Sequence, residues 1–172
     1  EGGAPHLVFV DTDVLFLGPL PILRDPAFQV AVTVRDHGRT GPPREMQPYN
    51  LGIKMVHGEH LGAASQLWEG YVTDMMEEEG TDGRDLLFFS DQIAFFRSIR
   101  SSLVPRFDMG TFYARVEALI AGGPPYTSDV VLPDGSTLQL LHLPCSVYNA
   151  PPGGVSPSGC LPAEDAVAIH FK

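Results

Sequence analysis

Two aspartates one residue apart, Asp11 and Asp13, interrupt an apolar stretch that spans residues 6–17. Two carboxylates this close repel each other and resist removal from water unless a positive charge joins them. A divalent cation is the simplest such partner, and carboxylate oxygens favour the hard ions magnesium, calcium and manganese. The spacing therefore predicts a metal site at Asp11 and Asp13.

Three interpretations of this Asp-Thr-Asp motif stay open. In the first, the aspartates are polar residues of a solvated turn after a core strand, because Asp is common in turns. In the second, the motif is the metal- and nucleotide-binding Asp-x-Asp of sugar-nucleotide transferases. In the third, it is the motif of haloacid-dehalogenase-type phosphatases, in which the first Asp is the nucleophile and the second is the general acid.

The apolar stretch around the aspartates predicts the element that positions them. A continuous apolar run is typical of a strand buried on both faces in the middle of a parallel sheet, here with the acids at its carboxyl end. Ligands bind at that end in open α/β sheets. Periodicity and turn residues predict further strands at 29–34, 49–56, 129–132, 137–142 and 166–169, and helices at 59–79, 91–100 and 111–121. The chain is therefore expected to fold as an α/β domain.

Polar residues also occur at the ends of these other elements. Asn50 and Gly52 open a strand, Asp91 and Gln92 open a helix, and His170 follows the last strand. Each position has an ordinary structural explanation, namely a turn, a helix cap and a satisfied structural histidine. A binding role competes with it, because amides and carboxylates suit sugar hydroxyls and glycine lets a ligand approach the backbone.

Composition limits the classes of partner. The 172 residues suit one domain, and a formal charge of -10 with only 11 Lys and Arg argues against a nucleic-acid partner. No run of 18 apolar residues is present, so no membrane segment is expected, and residues 1–5 do not read as a signal peptide. Cys145 and Cys160 flank a segment rich in Pro and Gly and are either a disulfide or two free thiols.

Five motifs in order resemble those of GT-A-fold nucleotide-diphospho-sugar transferases, closest in pattern to glycosyltransferase families 8 and 77. The motifs are Asp11-Thr-Asp13, Asn50-x-Gly52, Asp91-Gln92, Leu143-Pro-x-x-x-Tyr-Asn149 and Ile169-His-Phe171. The resemblance covers nearly the whole chain. It implies a GT-A-like mixed sheet flanked by helices, in which residues 1–172 form the C-terminal two-thirds of a single catalytic domain. The N-terminal nucleotide-binding region of the family would then be missing and could be a partner of this chain.

The resemblance implies a role for each matching residue. Asp11 and Asp13 would bind the metal and reach the nucleotide, and His170 would be the third metal ligand, with Mn²⁺ or Mg²⁺ as the ion. Asn50, Gly52 and Lys172 would bind the nucleotide-diphosphate sugar. Asp91 and Gln92 would be the catalytic pair that holds the donor sugar and the acceptor hydroxyl. Tyr148 and Asn149 would line the acceptor side.

The implied function is metal-dependent transfer of a sugar, with retention of configuration, from a nucleotide-diphosphate donor to a hydroxyl of a glycan or protein acceptor. The implied location is the Golgi or another secretory-pathway lumen. Leu51 and the absence of a Gly followed by Lys-Pro-Trp near the end depart from the family pattern. A haloacid-dehalogenase-type phosphatase using Asp11 and Asp13, and a non-catalytic GT-A-like binding module, are the alternatives.

Overall fold

The computed structural model of the 172-residue chain describes residues 5–24, 28–34, 48–79, 90–104, 108–150 and 164–171. The Gly and Pro residues between 35 and 48 predict a loop there, which lies outside the described residues apart from Pro48. Lys172 and Cys160 also lie outside them. The described residues contain no helix that is long and apolar enough to cross a membrane.

In the part of the chain that the structure describes, eight strands form two sheets. The strands are β1 (His6–Val10), β2 (Val14–Phe16), β3 (Val30–Val34), β4 (Tyr49–His57), β5 (Leu103–Val104), β6 (Tyr126–Val131), β7 (Thr137–Pro144) and β8 (Ala168–His170). Six of them make one sheet in the order β1-β4-β3-β7-β6-β5, and β2 pairs with β8 in a separate two-stranded sheet. Only β3 and β7 pair in parallel, so the large sheet is mixed.

Helices pack on the large sheet. They are α1 (Leu61–Glu79), α2 (Ser90–Ser102), α3 (Met109–Ile120) and the single turn α4 (Cys145–Tyr148), with 3-10 turns at Pro21–Arg24 and Gly58–His60. One core cluster joins the sheet to α1, α2 and α3 and includes Val32, Leu51, Phe95 and Phe112. A second cluster on other sheet residues includes Ile53, Leu143 and Ala168 of β8. The structure thus confirms a mixed α/β fold in which helices flank a mixed sheet.

The prediction that the strand leading into Asp11 and Asp13 is buried on both faces in the middle of a parallel sheet is wrong. The stretch divides into β1 and β2, and β1 lies at the edge of the large sheet, antiparallel to β4. Phe9 and Val10 are 39% and 44% exposed. An apolar run indicates that its side chains favour burial. The place of the strand in the sheet depends on which other segments pair with it. Here the turn at Asp11–Asp13 ends the first pairing, and Val14 starts a new one with β8.

The strand predicted at 29–34 occupies the buried position instead. All five residues of β3 are fully buried, and the strand lies between β4 and β7. Because β1, β3 and β7 run in the same direction, their carboxyl ends lie at the same end of the sheet, together with the start of β4. A ligand crevice was expected at this end, which is formed by the residues that follow β1, β3 and β7.

The strands predicted at 129–132 and 137–142 are confirmed as β6 and β7. Asp134-Gly135, an Asp-Gly pair of the kind typical of hairpin turns, joins them, and Gly135 has the positive φ of 82° that glycine adopts without strain. Helix α3 begins two residues before the expected Thr111, because the Asp108 carboxylate accepts hydrogen bonds from the backbone of Gly110 and Thr111.

Candidate metal centre

The candidate site is the turn that joins the two sheets. Strand β1 ends at Val10, and the backbone N–H of Asp11 then donates to the carbonyl of Gly52 at 2.9 Å. The N–H of Val14 donates to the carbonyl of Asp11 at 3.3 Å, which closes the turn before β2 begins. Asp11 and Asp13 therefore lie directly after the carboxyl end of a strand, as the sequence predicts.

His170 reaches this turn through the pairing of β2 with β8. Val14 is in register with His170, and the N–H of Phe171 donates to the carbonyl of Asp13 at 2.9 Å. A second contact holds β8 from its other side, where the N–H of His170 donates to the carbonyl of Ala150 at 2.7 Å. Residues 157 positions apart in the chain are thus neighbours because two short strands pair in this register.

The three side chains converge closely enough to share one ion. His170 Nε2 lies 3.0 Å from Asp13 Oδ1 and 3.5 Å from Asp11 Oδ2. One ligand atom from each residue lies within 4.8 Å of the other two. The His170 side chain is only 2% exposed, whereas Asp11 and Asp13 are 46% and 44% exposed. The imidazole is therefore fixed inside the protein, and the carboxylates face solvent, where a ligand could approach.

The chemistry of this donor set fits a divalent cation. Two carboxylate oxygens and one imidazole nitrogen combine a hard oxygen site with the ligand type that also suits first-row transition ions. Mutual repulsion of two carboxylates is relieved by a cation between them. The metal ion itself stays a prediction, and so does its identity as Mn²⁺ or Mg²⁺.

Gly52 is needed where the His170 ring packs against β4. A Cβ on Gly52 would overlap the Nδ1 and Cε1 atoms of His170 and would lie 3.2 Å from Asn149 Nδ2. Glycine was expected here because it lets a group approach the backbone, and the group that does so in the described chain is the imidazole. The predicted contact between Gly52 and a donor sugar stays a prediction.

Asn50 belongs to a buried hydrogen-bonded support beneath the site. Its Oδ1 accepts from the N–H of Gly52 at 3.2 Å, and its carbonyl accepts from the Thr33 hydroxyl and from Asn149 Nδ2. Asn149 Nδ2 also donates to Thr33 Oγ1 at 3.1 Å. Asn50 is only 8% exposed, so its observed contacts stabilise the backbone that carries Gly52, and donor binding by its amide stays a prediction.

This support coincides with an irregularity in the sheet. Val32 pairs with Lys54, but the next residue, Thr33, pairs with Asn50, so the β4 residues in between bulge from the ladder. Bulges bend a strand and redirect its side chains, and they are frequent near active sites. Here the bulge contains Gly52, whose carbonyl binds the N–H of Asp11.

The predicted catalytic pair lies at the start of α2. Asp91 is half-buried in the first turn of that helix, whereas Gln92 is only 1% exposed and its Oε1 accepts no hydrogen bond from any described residue. Of the two, Asp91 is the side chain that a ligand can reach from solvent. A catalytic role for either residue stays a prediction.

Sequence reasoning missed Lys54. This lysine is partly buried on β4, and burial lowers its pKa, whereas the charges of Asp11 and then Asp91 act in the opposite direction. Tyr71 of α1 has its pKa raised by burial first and then by Asp91 and Asp11. The sequence does show one unusual feature at this position, namely a single lysine in the otherwise apolar strand segment Ile-Lys-Met-Val.

Of the residues implied for the acceptor side, Asn149 lies next to Gly52, against which the His170 ring packs. Tyr148 ends α4 and is half-buried, and Asn149 is fully buried against Thr33 and Asn50. Cys145, at the start of α4, is disulfide-bonded, and the chain has one other cysteine, Cys160.

Comparisons with models of protein families, with characterised proteins and with solved structures found no match to this chain.

Proposed function

We propose that this chain is a metal-dependent glycosyltransferase domain that moves a sugar from a nucleotide-diphosphate donor to an acceptor hydroxyl. The observation that carries the proposal is the convergence of Asp11, Asp13 and His170 at the carboxyl end of β1. The mixed α/β fold is compatible with it, and so is the order of the five motifs along the chain. A GT-A-like fold is part of this proposal.

Asp11, Asp13 and His170 would hold the ion, with Mn²⁺ preferred over Mg²⁺ because one ligand is an imidazole. A divalent ion bound there supplies Lewis-acid stabilisation of the negative charge that develops on the leaving diphosphate. The buried imidazole would be a fixed ligand next to the two carboxylates. The exposed carboxylate edges would leave room for the donor.

The chain's own polar groups would orient the sugar. Asp91 lies in the first turn of α2, and its charge, like that of Asp11, acts to raise the pKa of Lys54. Its carboxylate would accept hydrogen bonds from sugar hydroxyls and so hold the reacting carbon beside the metal centre. Transfer with retention needs no separate general base, because the departing phosphate can accept the proton of the acceptor hydroxyl.

The disulfide at Cys145 supports an oxidising compartment, because disulfides persist in secreted and luminal proteins and are rare in the cytosol. We therefore propose a secretory-pathway lumen such as the Golgi. A glycan or protein hydroxyl would be the acceptor there.

The test compares Asp13→Asn with Glu69→Gln, since each removes one exposed carboxylate and Glu69 lies on α1, on another element of the fold. Mn²⁺ binding is measured by water-proton relaxation, and hydrolysis or transfer is measured with a panel of nucleotide sugars. We expect Mn²⁺-dependent turnover in the wild type and in Glu69→Gln and loss of both binding and turnover in Asp13→Asn.

Other results would identify the alternatives. Magnesium-dependent release of phosphate from a simple ester, with Asp11 becoming phosphorylated, would establish a phosphatase. Mn²⁺ binding with no turnover of any donor would establish a non-catalytic binding module. A wild-type chain that binds no divalent ion would overturn the proposal.

A further inference from the structure

We propose that Lys54 is a positioning residue of this site, whose ammonium group receives the anionic diphosphate part of the ligand and links the metal centre to the start of α2. The inference rests on the proposed function and extends it, because neither the residue patterns nor the family resemblance assigned Lys54 a role. Three considerations support it: the face of the sheet on which Lys54 lies, the charged groups that act on it, and the sum of the charges at the site.

The sheet register places Lys54 on the face that packs against the helices. Lys54 pairs with Phe9 of β1 and with Val32 of β3, and directly paired residues of antiparallel strands share a face. Phe9 contacts Trp68 of α1 with ring centroids 4.9 Å apart, and Val32 belongs to the core cluster formed with the helices. The Lys54 side chain therefore runs between the sheet and α1.

The register also brings Lys54 near Asp11, because Asp11 lies two residues after Phe9, the partner of Lys54, and its N–H continues the pairing to Gly52. Asp11 follows β1 and Asp91 opens α2, and both carboxylates interact electrostatically with Lys54. The same two carboxylates act on Tyr71 of α1, which packs edge-to-face on Phe95. Asp11, one of the three candidate metal ligands, and Asp91 thus act on both Lys54 and Tyr71.

The charge balance explains why a lysine would be useful at a position where the strand otherwise prefers apolar residues. Asp11, Asp13 and Asp91 carry three negative charges, and Lys54 with a divalent ion carries three positive charges. Without Lys54, an incoming diphosphate would meet a region of net negative charge in a protein that already carries -10. The ammonium would also repel the divalent cation. It should therefore strengthen binding of the diphosphate and weaken binding of the metal ion.

This reasoning predicts effects of opposite sign, which a purely structural lysine would not produce. In Lys54→Met the apolar stem is kept and the charge is removed, so Mn²⁺ should bind more tightly, by on the order of fivefold. Binding of inorganic pyrophosphate, added as its Mn²⁺ complex, should weaken by on the order of tenfold. Lys54→Arg keeps the charge and should change both affinities by less than about twofold.

The experiment uses the full chain, with Mn²⁺ affinity from water-proton relaxation and pyrophosphate affinity from calorimetry. Unfolding in urea checks that each variant is folded, and Lys54→Gln replaces Lys54→Met if the latter does not fold. Unchanged affinities in a folded Lys54→Met, with Mn²⁺ bound normally by the wild type, would overturn the role of Lys54 and leave the proposed function standing. Tighter Mn²⁺ with unchanged pyrophosphate would also overturn it. A wild type that binds no Mn²⁺ would overturn both.

Discussion

Replacing Gly52 by alanine is predicted to displace the His170 ring from Asp11 and Asp13. The added methyl group would overlap two atoms of the imidazole ring and would crowd the amide of Asn149 at 3.2 Å. The φ of Gly52 is not in the left-handed region, so alanine is compatible with the backbone there. Any effect of this substitution therefore reports the clash of the methyl group with the His170 ring and with the Asn149 amide.

The structure indicates the size of the effect. The His170 ring is 2% exposed, and its backbone is bound to Ala150 on one side and to β2 on the other, so the ring cannot move away without moving the strand. Introducing a methyl group into such a packed position costs about 1–3 kcal/mol in the free energy of unfolding. Loss of the support that orients a metal ligand lowers affinity by about 10–100-fold.

The assay combines urea unfolding with Mn²⁺ binding by water-proton relaxation. Gly18→Ala is the matched control, because a Cβ at Gly18 meets no atom within 4 Å. The double variant Gly52→Ala/His170→Ala separates the clash from other effects, since removal of the ring leaves the methyl group with much less to displace. The two substitutions should therefore show a favourable coupling of about 1–3 kcal/mol in unfolding free energy.

The reasoning is refuted if Gly52→Ala matches Gly18→Ala in both stability and Mn²⁺ affinity. It is also refuted if the two substitutions in the double variant are additive, because the cost of the methyl group would then be independent of the ring.

Two further predictions concern the buried polar groups of the core. His142 is fully buried and stacked on Tyr126, and burial, followed by the charge of Arg115, lowers its pKa to about 3. As the pH is lowered from about 6.5 to 3, this histidine takes up a proton in the unfolded chain but stays neutral in the folded one. The free energy of unfolding should therefore fall by up to about 1.4 kcal/mol per pH unit in this range, and His142→Phe should reduce that slope in urea unfolding. Thr33→Val leaves the amide of Asn149 with one buried acceptor fewer, so it should cost about 1–3 kcal/mol in urea unfolding, whereas Thr33→Ser, which keeps the hydroxyl, should cost clearly less.

Local features of the fold were predictable because they depend on neighbouring residues. The strands on either side of Asp134-Gly135, the strand β3 and the long helix α1 follow from turn chemistry, β-branched residues and the period of apolar residues, whereas the buried position of β3 does not. The boundaries were less accurate, since the start of α3 depended on a side-chain cap at Asp108 that lies before the apolar pattern.

The candidate site was predictable only in part. The spacing of Asp11 and Asp13 at the end of a strand indicated two carboxylates close together whatever the fold, because one intervening residue cannot separate them widely. His170 was included through the family resemblance, as the residue pattern around it is equally that of a structural histidine. The role of Gly52 was expected in kind, as a close approach to the backbone, but the approaching group was not.

The sequence by itself determined the α/β character of the chain and the pair of carboxylates after its first strand, since both follow from short-range chemistry. Only the tertiary structure decided that β1 is an edge strand, that His170 lies 3.0 Å from Asp13, and that Lys54 pairs with Phe9 and Val32. The physical reason is that strand order and register depend on pairing between distant segments. No local run of residues encodes which segment its partner will be.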